Sequence, residues 1–436
     1  MPTPLYSEYL AAGGRVSTDS RQPQPGTLFF ALNGPSFRGA AFASQALAAG
    51  ARHAVVDDAA LAATDPDRYT FAPDPLAALQ TLARHHRQQF AIPVLAVTGS
   101  NGKTTTKELL TAVLARQFRV LATVGNLNNH IGVPLTLLRL RAGEHELAVV
   151  EMGANHRGEI AGYCAYAQPT HGLITNIGLA HLEGFGGPEG VALGKGELFD
   201  YLARTGGTAF VNTLDPRLPG LAAAVPTRRT YPDPADDYPA TLLAADPTLA
   251  LRLGLSGPDV AVQLTGDYNF PNLAAAAAVG QYFGVAPDDI AAALAGYNPQ
   301  NNRSQLVRTA RGNELVLDAY NANPSSMAAA LRSFAHRTGV PANKVVILGD
   351  MFELGEASTP EHLALGELLN TLDFGTVVLV GPEMARAWRC CSPDVAHHFP
   401  TKEAAAAWLA TQPVISRQVL LKGSRGMGLE TLVPLL

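Results

Sequence analysis

The stretch TGSNGKTT, residues 98–105, lies between the apolar run IPVLAV that starts at Ile92 and the helix-forming segment TTTKELLTAVLARQF. A glycine-bearing turn between a buried strand and a helix is where backbone N–H groups and the positive end of a helix converge on a phosphate. Gly99 and Gly102 allow the backbone close approach, and Thr98, Ser100, Asn101 and Thr105 complete the turn. Lys103 can reach terminal phosphates, and Thr104 can ligate magnesium. The general phosphate-loop pattern GxxxxGK[ST] would place a glycine where Val97 stands, so the loop here is a compact GxxGKT. A ligand-free strand-to-helix turn is the plain alternative. The strand before it, and a following helix with Leu109, Leu110, Val113, Leu114 and Phe118 on one side, favour phosphate.

Outward from this loop the chain reads as three α/β units. At the N-terminal end, TLFFAL (27–32), a helical pattern near 40–49, ARHAVVDD (51–58) and a helix starting at Asp74 make a small unit over residues 1–90. The central unit, 91–300, has strand candidates in IPVLAV, ELAVVEM, GLITNI and GTAFVN. Their spacing leaves room for crossover helices, which predicts a mostly parallel sheet of phosphate-loop type. YPDPADDYP (231–239) reads as a surface loop, LALRLGL and VAVQL as a strand pair appended to the central sheet, and 272–283 as an Ala-rich helix. Residues 297–302, YNPQNN, read as a linker. In the third unit, 301–436, ELVLDAY, KVVILGD, TVVLVG and QVLLKG alternate with helical stretches, a Rossmann-like α/β pattern.

A chain of 436 residues exceeds what one core usually holds, consistent with several domains. Its 32 basic and 37 acidic residues give a net charge of -5, against a broad grip on nucleic acid. Three cysteines, Cys164, Cys390 and Cys391, suit a reducing compartment better than a disulfide framework. The N-terminus has no basic start followed by an apolar core, and no run approaches the roughly 18 apolar residues of a membrane span. The expectation is a cytoplasmic monomer without a membrane span.

Two further residues belong with the loop by position. Glu151 ends the strand of AVVEM ahead of GANHRGEI, and His181 follows another strand in NIGLAHLEGFG, so both fall at the carboxyl edge of the sheet. The loop TGSNGKT resembles that of the Mur ligase family, shared with folylpolyglutamate synthases, and the likeness runs through all three units. It implies that ATP phosphorylates a substrate carboxylate and that an amine displaces the phosphate. It implies Thr104 and Glu151 on one Mg2+ ion, His181 on a second, and Lys195, in VALGKGELF, carried as a carbamate. Lys103, Glu151, His181 and Lys195 would then be the catalytic set. In GDYNFPNLAAA the resemblance points Asn269 and Asn272 at the adenine. Arg303 would reach the ATP phosphates, although Asn302 stands where relatives carry glycine. Asp318 would bind the ribose, and Asn321 would touch the nucleotide.

DAYNANPSSM, ILGDMFELG (347–355) and LLKGSRGMGLE (420–430) resemble the dipeptide-adding branch of the family. That likeness implies a UDP-N-acetylmuramoyl-tripeptide and D-alanyl-D-alanine as substrates. GNLNNHIGVP (125–134) would present Asn126, Asn128 and Asn129 to the muramoyl peptide. STDSRQPQPGTLFFALNG resembles the family's UDP-binding domain, with Asp19, Ser20 and Arg21 as contacts. Phe37, Arg38, Gly39 and Ala40 stand where relatives have an acidic residue and a histidine, and Arg38 offers a phosphate contact of its own. Lys422, Ser424 and Arg425 form a cationic turn suited to a peptide carboxylate or the nucleotide. An amino-acid-adding ligase of the same family, and a nucleotide-gated binding ATPase, remain the competing readings.

Overall fold

The computed structural model describes residues 4–22, 24–300 and 302–436. Residues 1–3 of the N-terminal stretch and Asn301 of the expected linker lie outside them. The first sheet is parallel, ordered β1 (Val16–Ser17), β2 (Leu28–Phe30), β3 (His53–Val56), β4 (Tyr69–Phe71). Alternation along the strands sends Leu28, Phe30 and Val55 to one face and Phe29, Ala54 and Val56 to the other. The first face packs on the helix Pro75–Arg87, whose N-cap Asp74 accepts from the N–H groups of Leu76 and Ala77 at 2.9 and 3.0 Å.

That helix also belongs to the core of the central unit. Leu79, Leu82 and Ala83 share one apolar cluster with Val94, Ala96, Ala148, Val150 and Ile174. Polar groups reinforce the join. The Tyr9 hydroxyl donates to Leu138 O at 2.7 Å, buried His86 Nε2 lies 3.0 Å from Leu140 O, and Arg141 donates to Gly14 O at 2.7 Å.

The central sheet holds β5 (Val94–Thr98), β6 (Val120–Ala122), β7 (Leu147–Glu151), β8 (His171–Ile174), β9 (Thr208–Asn212) and β10 (Thr227–Tyr231). Every pairing is parallel, in the order β10-β9-β8-β5-β7-β6. The chain winds outward from β5 in both directions. The crevice at the carboxyl ends of β5, β7 and β8 is therefore the ligand position of an open parallel sheet.

The strand pair expected to extend this sheet does not do so. β12 (Ala250–Leu253) and β13 (Asp259–Ala261) are antiparallel partners, and with β11 (Ala240–Ala244) they form a separate three-stranded sheet. β11 carries one buried residue in five, so its apolar signal is faint. The loop 231–239 that precedes it folds back on the end of β10, with Tyr238 N donating to Thr230 O at 3.1 Å.

The third unit orders β14 (Gln305–Arg308), β15 (Glu314–Asp318), β16 (Lys344–Gly349), β17 (Thr376–Val380), β18 (Ala396–Phe399) and β19 (Gln418–Lys422) as β14-β15-β19-β16-β17-β18. Only β14 runs antiparallel to its neighbour. Separate apolar clusters cover its two faces. Each of the three parallel-type sheets gains at both edges a strand that sequence reading leaves unassigned: β1 and β4, β6 and β10, β14 and β18.

The third unit is pinned to the central one through Arg337, which is 6% exposed. Its guanidinium donates to Pro247 O and Thr265 Oγ1 of the central unit, both at 3.0 Å, and to Glu314 Oε1 of its own at 2.8 Å. Arg337→Ala is expected to lower stability by about 3 kcal/mol, because it strands three acceptors. The check is the denaturation midpoint, with Arg337→Met recovering part of the loss through retained volume.

Candidate active site

The carboxyl edges of the central and third sheets face each other across a cleft of about 920 Å³. From the central unit Ser100 to Thr105, Glu151 and His181 line it, and from the third Arg303, Asp318, Tyr320, Asn321, Lys422, Ser424 and Arg425. The expected nucleotide and magnesium residues thus come together, except Thr98, Gly99 and Lys195, which lie behind the lining. Thr98 is buried and its hydroxyl donates to Met152 O at 2.7 Å, fixing β5 to the chain after β7.

The loop owes its shape to two glycines. Gly99 has φ +139°, and a Cβ there would stand 2.0 Å from Thr175 Oγ1. At Gly102 (φ +78°) a Cβ would meet Asn272 Oδ1 at 2.6 Å. Ser100 and Asn101 spend their N–H groups on Asn176, through its backbone O and its Oδ1, both at 3.0 Å. The N–H groups of Lys103, Thr104 and Thr105 open the helix Lys103–Leu114 and have no intrahelical partner, which leaves them for an anion. The Lys103 ammonium curls onto Gly99 O and Ser100 O at 2.8 and 3.2 Å. Desolvation depresses its pKa, and the Glu151 carboxylate opposes that shift.

Glu151 is buried at the end of β7. Its Oε1 accepts from Thr104 Oγ1 at 3.1 Å and from Asn128 Nδ2 at 2.7 Å, while Oε2 is buried without a partner. A hydroxyl and a carboxylate with a spare oxygen suit a hard cation that takes its other ligands from phosphate and water. Among the described residues no three His, Cys, Asp or Glu side chains cluster closely enough to hold a metal by themselves. Phosphate oxygens would have to supply the balance.

Lys195 is fully buried in the helix Pro188–Thr205. Its Nζ donates to Ala154 O at 2.8 Å and stands 4.8 Å from the centre of the Phe185 ring. Burial drives its pKa far below the usual lysine range, the Lys103 charge adds to the effect, and Glu159 and Glu197 oppose it. Burial of this kind disfavours the charged form of the amine.

Several expected ligand contacts are already engaged within the protein. Asn269 Nδ2 donates to Thr265 O at 2.8 Å. Asn272 accepts from Thr106 Oγ1 at 3.1 Å and donates to Asn269 Oδ1 at 3.0 Å. Both line the cleft, and Asn272 also buttresses Gly102. Asp318 accepts from Ser304 N at 3.1 Å and from Lys422 Nζ at 2.6 Å. Asn321 accepts from its neighbour's Ala322 N. Buried Ser424 Oγ accepts from Phe352 N at 2.9 Å. Asn126 is exposed on the rim, and Asn129 Oδ1 accepts from Ile131 N and Gly132 N to start the helix Gly132–Leu137.

Four groupings at the cleft were not assigned from sequence. Tyr320 carries the Arg303 guanidinium 3.5 Å above its ring centre, with that of Arg425 at 5.1 Å. Asn302, just before Arg303, has φ +57°, a conformation open to glycine and tolerated by asparagine. That accounts for the glycine-to-asparagine departure. Asn101 accepts from Asn323 Nδ2 at 2.7 Å and donates to Ser325 Oγ at 3.1 Å, joining the phosphate loop to the third unit. His181 Nδ1 lies 2.6 Å from Glu353 Oε2, and the contact holds the Glu353 carboxyl below its usual range. Asp215 and Arg217, paired at 3.0 Å, also line the cleft. They follow β9 at the same carboxyl edge of the sheet where Glu151 ends β7, a positional signal that could have identified them.

The N-terminal residues lie apart from this cleft. Arg21 grips Asp19 through Nε and Nη2 at 2.8 and 3.0 Å, and that hydrogen bonding holds the Asp19 carboxyl low. Ser20 adjoins them in the same half-buried turn. Arg38 reaches Asp57 at 3.3 Å, and Phe37 meets Phe42 edge-on with ring centres 5.7 Å apart.

Residues 15–87, 97–280 and 302–425 match, in turn, the Mur ligase family catalytic domain, the Mur ligase middle domain and the Mur ligase glutamate ligase domain. The chain is 37% identical to the UDP-N-acetylmuramoyl-tripeptide--D-alanyl-D-alanine ligase of Escherichia coli, over 96% of this chain and 92% of that one. Among solved structures, MurF from Acinetobacter baumannii superposes with a TM-score of 0.87 at 34% identity, covering 96% of this chain and 92% of the other. MurF ligase from Thermotoga maritima, solved in complex with ADP, gives 0.84 at 28% identity, covering 97% and 96%.

Proposed function

The chain belongs to the Mur ligase family, and on that premise we propose that it joins D-alanyl-D-alanine to a UDP-N-acetylmuramoyl-tripeptide in peptidoglycan synthesis, driven by ATP. The observation that carries this reading is the single cleft in which a phosphate loop and the DAYNANP, GDMFELG and KGSRG segments converge, in a chain similar along almost its whole length to ligases of that activity. The tripeptide carboxylate attacks the terminal phosphorus of ATP, and the bond to the bridging oxygen breaks, releasing ADP. The free amine of the dipeptide then attacks the acyl carbon. The carbon–oxygen bond breaks, inorganic phosphate leaves, and the new amide loses a proton.

Such chemistry requires positioning and charge neutralisation more than a protein nucleophile. The first-turn N–H groups of the helix Lys103–Leu114 receive the phosphates, and Lys103 swings from the loop carbonyls to the terminal phosphate. Tyr320 holds the Arg303 guanidinium flat for the same charge. Thr104 and Glu151 hold magnesium, with Asn128 fixing the carboxylate. Magnesium, when bound, neutralises the charge on the transferring phosphoryl group. With Lys422 neutralised by Asp318, Arg425 is the cation left for the dipeptide carboxylate.

The finer assignments follow the same logic. Residues 1–90 form the UDP-muramoyl-peptide-binding domain, with Asp19, Ser20, Arg21 and Arg38 at its ligand, 91–300 the ATP-binding domain and 301–436 the C-terminal ligase domain. Asn126 faces the muramoyl peptide. Adenine lies toward Asn269 and Asn272, whose internal hydrogen bonds leave them to shape the pocket. The protein works in the cytoplasm as a monomer, and its three free cysteines suit that reducing compartment. Lys195, whose charge burial disfavours, adds as the free amine to carbon dioxide and loses a proton, giving a carbamate anion that would help His181 hold a second cation.

Phosphate release should require both UDP-muramoyl-tripeptide and D-alanyl-D-alanine, and mass analysis of the product should show their condensation with loss of water. Hydrolysis at full rate without either substrate would instead mark a nucleotide switch. A product formed only from a muramoyl dipeptide and a free amino acid would move the chain to the amino-acid-adding branch. Lys195→Ala should lower kcat by about 100-fold or more, with bicarbonate or a short carboxylic acid restoring part. Full activity in that variant with no additive would remove Lys195 from the reaction.

A further inference from the structure

Glu353 has no role in the reading above, yet its placement is tightly specified. It sits in the loop after β16 and sets its carboxylate against His181 across the cleft as a close ion pair, 2.6 Å between Oε2 and Nδ1, a ring nitrogen that is buried and has no aligned hydrogen-bond partner. Both residues occupy left-handed backbone without being glycine, His181 at φ +54° and Glu353 at φ +62°. Such strain persists only where the surroundings over-determine it, and it clusters at functional sites.

The loop is held from behind. Asp350 accepts from Met384 N at 2.9 Å, Met351 N donates to His362 Nε2 at 3.2 Å, and Phe352 N donates to Ser424 Oγ at 2.9 Å. At its far end Gly355 (φ +54°) packs so closely on Glu183, two residues beyond His181, that a Cβ would lie 3.0 Å from that side chain.

We infer that Glu353 is the positioning residue for His181: docking of the third unit sets a carboxylate against Nδ1 and leaves Nε2 as the nitrogen open to a metal. This rests on the proposed reading of His181 as a magnesium ligand. The short separation argues for orientation over shared ligation. Two neighbouring ligands on one octahedral ion at ~2.1 Å each would stand about 3 Å apart. A carboxylate on the far nitrogen of a ligating histidine fixes its tautomer and ring direction. Here that carboxylate comes from a different unit, so cation affinity depends on whether the third unit is docked.

The test uses the full chain with a non-hydrolysable ATP analogue and Mn2+ as the probe. It reads the Mn2+ dissociation constant and the imidazole nitrogen coupling to the manganese by pulsed electron paramagnetic resonance. Glu353→Ala should weaken Mn2+ binding about tenfold and reduce the nitrogen signal. Glu353→Gln, which keeps an acceptor oxygen, should stay closer to the parent. His181→Ala should abolish the signal, and adding Glu353→Ala to it should change nothing more. The Glu353 side chain is 57% exposed, so its variants should fold, and a thermal melt checks that. Parent-like affinity and signal in Glu353→Ala, with both lost in His181→Ala, would overturn the inference alone. An equal loss from Glu353→Ala in the His181→Ala background would also overturn it. Unchanged binding and signal in His181→Ala would remove the metal reading of His181, and the inference with it.

Discussion

A parallel sheet brings the carboxyl ends of its strands to one edge, and here two such edges are turned toward each other. The rest of the site depends on that opposition. β5, β7 and β8 deliver the phosphate loop, Glu151 and the segment leading to His181 from one side, while β15, β16 and β19 deliver Asp318, Glu353 and Lys422 from the other. Loop-to-helix starts then bring unpaired N–H groups to the same place. No single unit contains the cleft. Charge neutralisation for a phosphoryl transfer is divided between Lys103 on one side and Arg303 on the other.

How much of this could be read from sequence follows from burial. Interior strands such as VLAVT, LAVVE and TVVLV are buried over most of their length and read as unbroken apolar runs. Edge strands pair on one side only and tolerate polar residues, so TRRTY at β10 and QLVR at β14 carry no such run. The N-cap of Pro75–Arg87 and the glycines of the phosphate loop were legible because their physics is local. Contacts across units were not. Asn101 with Asn323, and His181 with Glu353, join residues far apart in the chain through one side chain each, and no periodicity announces them. Sequence also identifies which asparagines stand near the cleft without showing how their amides are used. Asn272 and Asn269 bond each other and the protein, a fact that only the packing discloses.

Glu151 illustrates how a position becomes a role. The end of a strand supplies the carboxylate, Thr104 and Asn128 fix one oxygen, and burial leaves the other without a protein donor. A buried acceptor left unsatisfied is costly unless something arrives to meet it. Lys195 is a parallel case with the opposite sign, a buried cation whose charge the surroundings disfavour. Both residues are poorly explained as parts of a resting fold.

The two joints between units differ in what lies along them. The N-terminal unit meets the central one through a continuous apolar seam, where separation would expose hydrocarbon at roughly 25 cal/mol per Å² with nothing in water to replace the lost contact. The third unit meets it chiefly through amides, hydroxyls, a guanidinium and an imidazole, with Tyr268 and Ala357 as apolar contacts across the joint. Water can take over each of those bonds at little net change in free energy. One seam is therefore glued and the other is exchangeable. A substrate anchored on the glued side would keep its reactive end in register with the phosphate loop while the exchangeable side opens to admit the amine and release the lengthened product.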